Sequence, residues 1–452
     1  FVLVLAAFIY LKPQEVFPVL RAVPLLYLIF GLALVGLFFD AARNKVGSRL
    51  PAQTPYVIGF GIWSLVAIAI RDTSTIVQWV KDIGVGIGIY LAVAIAASSV
   101  EGVRRYANLL LALAVSLGAI GAHQALQPFV CFQVDYEAGG LDDPIYHGAP
   151  CESWSDCVEQ TQSETEDWVC EKAGLLGTSS VAKGRVRYRG SLADPNELAL
   201  VVGSDLPFGF AIRERKKTRA RTLFLFAILA LSGWAIIKTE SRGGQLVFAT
   251  VMGLYFIRRL HIWGAIVGCI VALPVILLGG RSGASADASA MQRIEAWYEA
   301  IDLFKTSPII GIGTGLFTDY HYLTAHNAYL LVVAETGFVG FFLWSLSVYT
   351  TAKIPAVIWW NREERLGPVL SSIAPALLIA LAGLYLGILF LSFAYHHVLY
   401  LFMGLSGALG LAAARKMPEL EFKVSAREML TIAVGCVAFL VMMFVYTRLK
   451  HG

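Results

Sequence analysis

The sequence predicts an all-α, polytopic integral membrane protein with about 12–13 transmembrane helices and two large loops on one side. Three observations carry that prediction. Hydrophobic residues make up 57% of the 452 residues and the mean hydropathy is +0.67. Charged residues make up 15%, against about 25% in soluble domains. The apolar residues fall in runs long enough to cross a hydrocarbon core of about 30 Å, and the basic residues gather between alternate runs.

Taken in order, the apolar runs lie near 1–11, 22–39, 54–70, 83–98, 107–123, 197–212, 222–237, 245–257, 262–279, 327–350, 369–393, 398–414 and 430–447. They divide the chain into N-terminal spans (1–123), a Cys-containing loop (124–196), central spans (197–279), a second loop (280–326) and C-terminal spans (327–452). The chain opens directly in an apolar run, Phe1 to Leu11, with no cleavable signal peptide and no initiator Met, which suggests that the true N-terminus is missing. The strongest charge run, Arg213-Glu214-Arg215-Lys216-Lys217-Thr218-Arg219-Ala220-Arg221, marks the cytoplasmic side by the positive-inside rule. Counting spans from it places Arg43/Lys45/Arg49, Arg104/Arg105, Arg258/Arg259, Arg362/Arg365 and Arg415/Lys416 on that same side. Both large loops and the Lys238–Gln245 link then fall outside. The net charge of +4 adds little, and no internal repeat or low-complexity tract is visible.

Cysteine usage supports the orientation independently. Cys269 and Cys436 lie inside apolar runs and read as packing residues. Cys131, Cys151, Cys157 and Cys170 share the first loop, and four cysteines facing an oxidising compartment suggest two disulfides, with three connectivities open. Zinc is the rival, but the spacing lacks a C-x-x-C pair and the loop holds one histidine, His147. This loop begins acidic (Asp135, Glu137, Asp142, Asp143) and ends in Lys183-Gly184-Arg185-Val186-Arg187-Tyr188-Arg189. Period-two alternation would put those four cations on one face of an extended segment, either to guide an anionic ligand or to pair with the acidic half. In the second loop, Ile294, Trp297, Ile301 and Phe304 recur at helical spacing over Met291 to Phe304. They predict an amphipathic helix on the membrane surface, with Trp297 and Tyr298 at the interface.

Chemistry is expected at a few polar residues beside the apolar runs, where an unpaired ionisable group is costly. Arg242, in Thr239-Glu240-Ser241-Arg242-Gly243-Gly244, offers a planar fork of donors matched to phosphate oxygens. Snorkelling or a pair with Glu240 is the alternative, weakened because the basic residue sits outside, against the positive-inside bias. Arg293 heads the amphipathic helix and could equally be a solvated charge. Arg281, in a Gly-rich segment, is weaker. His326 titrates near neutral pH and suits a general base, against the plainer reading of an interfacial histidine bonded to a carbonyl. His321 and His396-His397 are competing imidazoles, but no carboxylate sits at ligand spacing beside them and no metal is expected. Asp194-Pro195-Asn196-Glu197 is accounted for by helix capping.

Four of these segments together resemble a known family. Gly190-Ser191-Leu192-Ala193-Asp194-Pro195-Asn196-Glu197-Leu198-Ala199 resembles the G-x-x-x-[DN]-P-N-x-x-A segment of the O-antigen ligase and O-antigen polymerase superfamily. Ser241-Arg242-Gly243 resembles its SRG element. Arg293, Trp297 and Ser307-Pro308-Ile309-Ile310-Gly311-Ile312-Gly313-Thr314-Gly315 resemble its R-x-x-x-W and P-x-x-G-x-G-x-G run. His326-Asn327 with Ala334-Glu335-Thr336-Gly337 resembles its HN and E-x-G signature. The motifs stand in the family's order over about 189–340 and are specific as a set, although each alone is weak.

The resemblance implies a GT-C-like helical fold in the bacterial inner membrane, with two periplasmic loops and the active site facing the periplasm. It implies inverting, metal-independent transfer of a glycan from undecaprenyl diphosphate to an acceptor hydroxyl, by default a lipid A-core sugar. Arg242 and Arg293 would bind the diphosphate, and His326 would take the acceptor proton. Arg189, Asn196, Asn327 and Glu335 are supporting candidates. Polymerase or protein O-oligosaccharyltransferase activity remains open within the family. Outside it, a lipid-linked sugar flippase is the alternative, although the repeats common in transporters are not visible here. No cofactor and no nucleic-acid partner are expected; membrane lipid is.

Overall fold

The computed structural model describes residues 1–43, 49–135, 140–161, 167–280, 283–361 and 364–451. Its first third comprises α1 (Val2–Leu11), the single turn α2 (Pro13–Val16), α3 (Leu25–Ala42), α4 (Thr54–Arg71), α5 (Ile76–Ala96) and α6 (Val100–Leu126). A loop carrying α7 (Trp154–Thr161) leads to α8 (Pro195–Asp205), α9 (Pro207–Arg215), α10 (Arg219–Thr239), α11 (Arg242–Leu260) and α12 (Ile262–Leu278). The last third holds α13 (Ala284–Thr306), the turn α14 (Phe317–Tyr320), α15 (Ala328–Asn361), α16 (Gly367–Gly387), α17 (His397–Lys416) and α18 (Ala426–His451).

Every apolar run of the sequence is helical. Among the described residues eight helices are long and apolar enough to cross a membrane, and Leu25–Asp40 and Ile262–Leu278 are shorter apolar helices. The remaining runs are α1, the pair α8–α9 divided at Pro207, and α11, whose charged ends dilute its apolar core. Local sequence sets the helix starts. Ser99, Thr218 and Ser241 each cap a helix through a side-chain oxygen that accepts from the backbone N–H three residues on. Asp194 caps α8 with Pro195 in the first turn, as the residue types predict.

The bundle core is built from α17 against α5, α15 against α4, and α11 against α12, α16 and α8. Basic residues gather at one end. Arg258 and Arg259 meet Glu214, Arg215 donates to Asn108, and Arg415 bonds the Ser98 carbonyl and hydroxyl. Lys45 and Arg362 lie outside the described residues. The opposite end carries both loops.

The first loop folds around a small antiparallel sheet that the sequence reading had not specified. Its strands β1 (Phe129–Asp135), β2 (Gly140–Pro150) and β3 (Trp168–Lys172) lie in the order β2-β1-β3. Of the three possible pairings the cysteines adopt Cys131–Cys157 and Cys151–Cys170, closing around Trp168. Glu137, in the acidic stretch, is outside the described residues.

The basic exit of this loop departs from the expected alternation. Only a single bridge forms, Val181 to Arg185, and Arg185, Val186, Arg187 and Tyr188 are all buried. Arg185 Nε donates to the Thr239 carbonyl (2.9 Å) and Arg187 Nε to the Ser179 carbonyl (3.1 Å). Arg189 donates to the carbonyls of Glu15 and Gly177. The four cations therefore do not share a face; three guanidiniums satisfy backbone acceptors that would otherwise be stranded between the loop and the bundle.

In the second loop the amphipathic helix is longer than the Met291–Phe304 pattern indicates. It packs against α18 and α15 through a face containing Ala296, Ala300, Ile301 and Leu303.

Candidate functional site

The site is organised by a break in α15. Its helical path is interrupted at Gly337 (φ 64°, ψ −169°), so Ala328–Thr336 forms a half-helix. The segment after α13 lies in that break. Ile312 N donates to the Ala334 carbonyl (3.0 Å), Gly313 N to the Glu335 carbonyl (3.0 Å), and Phe338 N to the Pro308 carbonyl (2.8 Å). The Ser307–Gly315 and Glu335–Gly337 motifs are thus two sides of one backbone pairing. Glycine is required on both sides. A Cβ on Gly311 would overlap the Glu335 backbone, and one on Gly337 would overlap the Ile309 carbonyl.

Side chains from α4 lock the break. Trp63 Nε1 donates to the Thr336 carbonyl (2.8 Å) and Arg71 Nε to the Gly311 carbonyl (3.0 Å). Thr314 Oγ1 donates to the Ser64 carbonyl (2.9 Å). The Glu335 side chain is buried against the backbone of Gly315 and Phe317 and the Tyr395 hydroxyl. It holds the junction together and does not line the cavity described next.

Asn327 Oδ1 accepts from Tyr329 N (3.0 Å) and Leu330 N (3.1 Å), capping the half-helix. This cap fixes the preceding residue, His326, in the left-handed region (φ 45°) at the helix mouth. His326 is partly buried and lies within electrostatic range of Arg293, Asp194 and His321. Burial, then Arg293, push its pKa below the ordinary value, with a smaller downward push from His321; Asp194 acts in the opposite sense. The imidazole is therefore held toward its neutral, proton-accepting form.

Arg242 is the first residue of α11, immediately after its Ser241 cap, and Arg293 projects from α13. Both line one cavity of about 310 Å3. Asn196, at the start of α8, and Glu240 also face it, and the apolar wall consists of Leu246, Ile294, Trp297, Phe390 and Tyr446. Trp297 and Tyr446 approach with ring centroids 6.1 Å apart. Two cations at the polar end of an apolar slot form a site suited to a charged headgroup on a long hydrocarbon chain.

The sequence candidates therefore separate. Arg242, Arg293 and Asn196 line the cavity, and His326 lies within electrostatic range of Arg293. Asn327 caps the half-helix, Glu335 packs the junction, and Arg189 holds the chain near Glu15 and Gly177. Arg281 lies outside the described residues. Sequence reasoning missed Asp194 as a neighbour of His326, having assigned it only to capping. Phe390 and Tyr446 were missed as well, because nothing local marks apolar residues 50 and more positions from the motifs.

Fold and site define the class: a polytopic helical membrane protein with a cationic, apolar-walled cavity and a partly buried histidine within electrostatic range of one of its arginines. Residues 226–345 match the family model described as O-antigen ligase. The matched segment, about a quarter of the chain, is similar to the O-antigen ligase family. No curated protein matches the chain. The matched segment contains Arg242, Arg293, His326, Asn327 and Glu335, whereas Arg189 and Asn196 precede it. The matched family implies, in general, a glycosyltransferase-like enzyme with a lipid-linked glycan and a glycan acceptor as its partners.

Proposed function

We propose that the protein is a ligase-type enzyme of the bacterial inner membrane that moves a glycan from undecaprenyl diphosphate to a lipid A-core hydroxyl on the periplasmic face. In this reading the acceptor oxygen attacks the anomeric carbon as the bond to the diphosphate oxygen breaks, with inversion. His326 takes the acceptor proton, and the departing electron pair remains on a diphosphate bound by Arg242 and Arg293. Two fixed guanidiniums supply the positive charge that the leaving group needs, so the reading involves no metal. The slot of Leu246, Ile294, Trp297, Phe390 and Tyr446 accommodates the first isoprene units.

The observation that carries this reading is the presence of Arg242 and Arg293 on one apolar-walled cavity, with His326 close enough to Arg293 for its titration to be shifted. The gathering of basic residues at the opposite end of the bundle supports the periplasmic orientation. The test is transfer of radiolabelled glycan from undecaprenyl diphosphate by the purified protein, with and without lipid A-core. Transfer that requires lipid A-core is the expected result. Elongation of the carrier-linked glycan in its absence would make the enzyme a polymerase.

A further inference from the structure

At the end of the bundle remote from the Arg242–Arg293 cavity lies a second cavity, of about 270 Å3, that the proposed reaction does not use. Its walls carry four cations from three helices: Arg104 of α6, Arg215 and Lys216 at the end of α9, and Arg221 of α10. Among the described residues no carboxylate lines it. The nearby acid, Glu101, is shared between Arg104 and Arg105.

The contrast with its neighbour is informative. Arg258 and Arg259, which line a cavity of about 290 Å3 at the same end, are matched by Glu214. In the former cavity Arg104 is paired with Glu101, whereas Arg215, Lys216 and Arg221 face no carboxylate among the described lining residues. Their guanidiniums are nevertheless positioned. Arg215 donates to Asn108 Oδ1 (2.9 Å) and to the Ala211 carbonyl (3.2 Å), and Arg221 donates to the Ile212 carbonyl (2.9 Å). Burial, then the charges of Arg104 and Arg221, lower the Arg215 pKa against a smaller upward push from Glu101. Each arginine has five N–H donors, more than these contacts occupy. Ile212, Pro368 and Val369 supply an apolar side to the same cavity.

We infer that this cavity binds the phosphate of an anionic phospholipid headgroup. The cations converge at helix ends, at the depth where headgroups lie, and the apolar side accommodates the glycerol and first acyl carbons. A basic pocket between transmembrane helices is the arrangement that recognises cardiolipin-type and related acidic lipids. The shared chemistry, a phosphate on four cations, would also accept free phosphate, and the apolar side favours the lipid.

The test is native mass spectrometry of the full chain in detergent, titrated with cardiolipin, phosphatidylglycerol, phosphatidylcholine or inorganic phosphate. Wild type is expected to retain cardiolipin and phosphatidylglycerol at least ten-fold better than phosphatidylcholine. Each cation removed should weaken retention about five-fold, both in Arg215→Gln/Arg221→Gln and in Arg104→Gln/Lys216→Gln. The second pair changes exposed side chains that leave the core untouched. Arg258→Gln/Arg259→Gln should retain lipid as wild type does. Equal retention of phosphatidylcholine, undiminished retention by Arg104→Gln/Lys216→Gln, or saturation by inorganic phosphate with no lipid preference would overturn the assignment.

Discussion

Replacing Gly337 with Ala tests whether the interrupted helix holds the site together. At φ 64° and ψ −169° Gly337 occupies a region essentially closed to other residues. Its new Cβ would overlap the Ile309 carbonyl, which is backbone and cannot swing aside. Strain of this kind costs about 1–3 kcal/mol. Relieving it separates the two segments and weakens three hydrogen bonds, Ile312 to Ala334, Gly313 to Glu335 and Phe338 to Pro308, each contributing about 0.5–1.5 kcal/mol. The sum, roughly 3–7 kcal/mol, is a large share of the 5–15 kcal/mol typical of a folded domain. The same movement displaces His326, eleven residues before Gly337, and a displacement of about 1 Å costs about 10²-fold in rate. The assay is thermal unfolding in detergent paired with glycan transfer, with Gly253→Ala as control. Gly253 sits in α11 with nothing near its absent Cβ, so alanine there should be neutral or slightly stabilising. A Gly337→Ala protein that melts and turns over like wild type would refute the role given to the break.

Further outcomes follow from the same geometry. Because burial and Arg293 lower the His326 pKa, transfer should fall with acid only below the ordinary histidine value of about 6.5. Arg293→Gln removes a downward push and should move that limb to higher pH at saturating donor, whereas Asp194→Asn, which keeps a capping side chain, should move it lower; a pH profile of each variant decides. Arg242→Lys keeps the charge but loses the planar fork, and should raise the KM for the donor about tenfold or more, read by transfer at varied donor concentration. Removing Cys131–Cys157, which spans 26 positions, should destabilise the first loop by about 3.5 kcal/mol on the chain-entropy scale, seen as earlier proteolysis of residues 124–196 while the bundle survives.

The helical bundle was legible in the sequence because hydrocarbon-length apolar runs leave few alternatives. All thirteen runs became helices, and capping at Ser99, Asp194, Thr218 and Ser241 followed residue type. The break in α15 was hidden, since 327–350 reads as one apolar run and its interruption depends on a partner segment. The clue lay in Glu335 within that run and in Gly311, Gly313 and Gly315 before it. The basic exit misled because periodicity predicts which residues share a face only in a regular strand. It gives no account of which stranded carbonyls require donors, and those carbonyls, at Thr239, Ser179, Glu15 and Gly177, claimed Arg185, Arg187 and Arg189. Of the candidate site, Arg242, Arg293 and His326 were proposed from polarity against an apolar background and from resemblance, and the fold brings the two arginines to one cavity. The proximity of Asp194 to His326, and the walls formed by Phe390 and Tyr446, arise from tertiary packing across more than 50 residues and leave no local mark.

The central claim is a division of labour between a cationic donor site and a histidine base. It is tested most directly by measuring donor binding and glycan transfer on the same nanodisc preparations of wild type, His326→Ala and Arg242→Gln/Arg293→Gln. The account predicts that His326→Ala binds undecaprenyl-diphosphate glycan like wild type yet transfers nothing detectable, and that the double glutamine variant loses donor binding itself. Wild-type transfer by His326→Ala, or undiminished donor binding by the double variant, would contradict it.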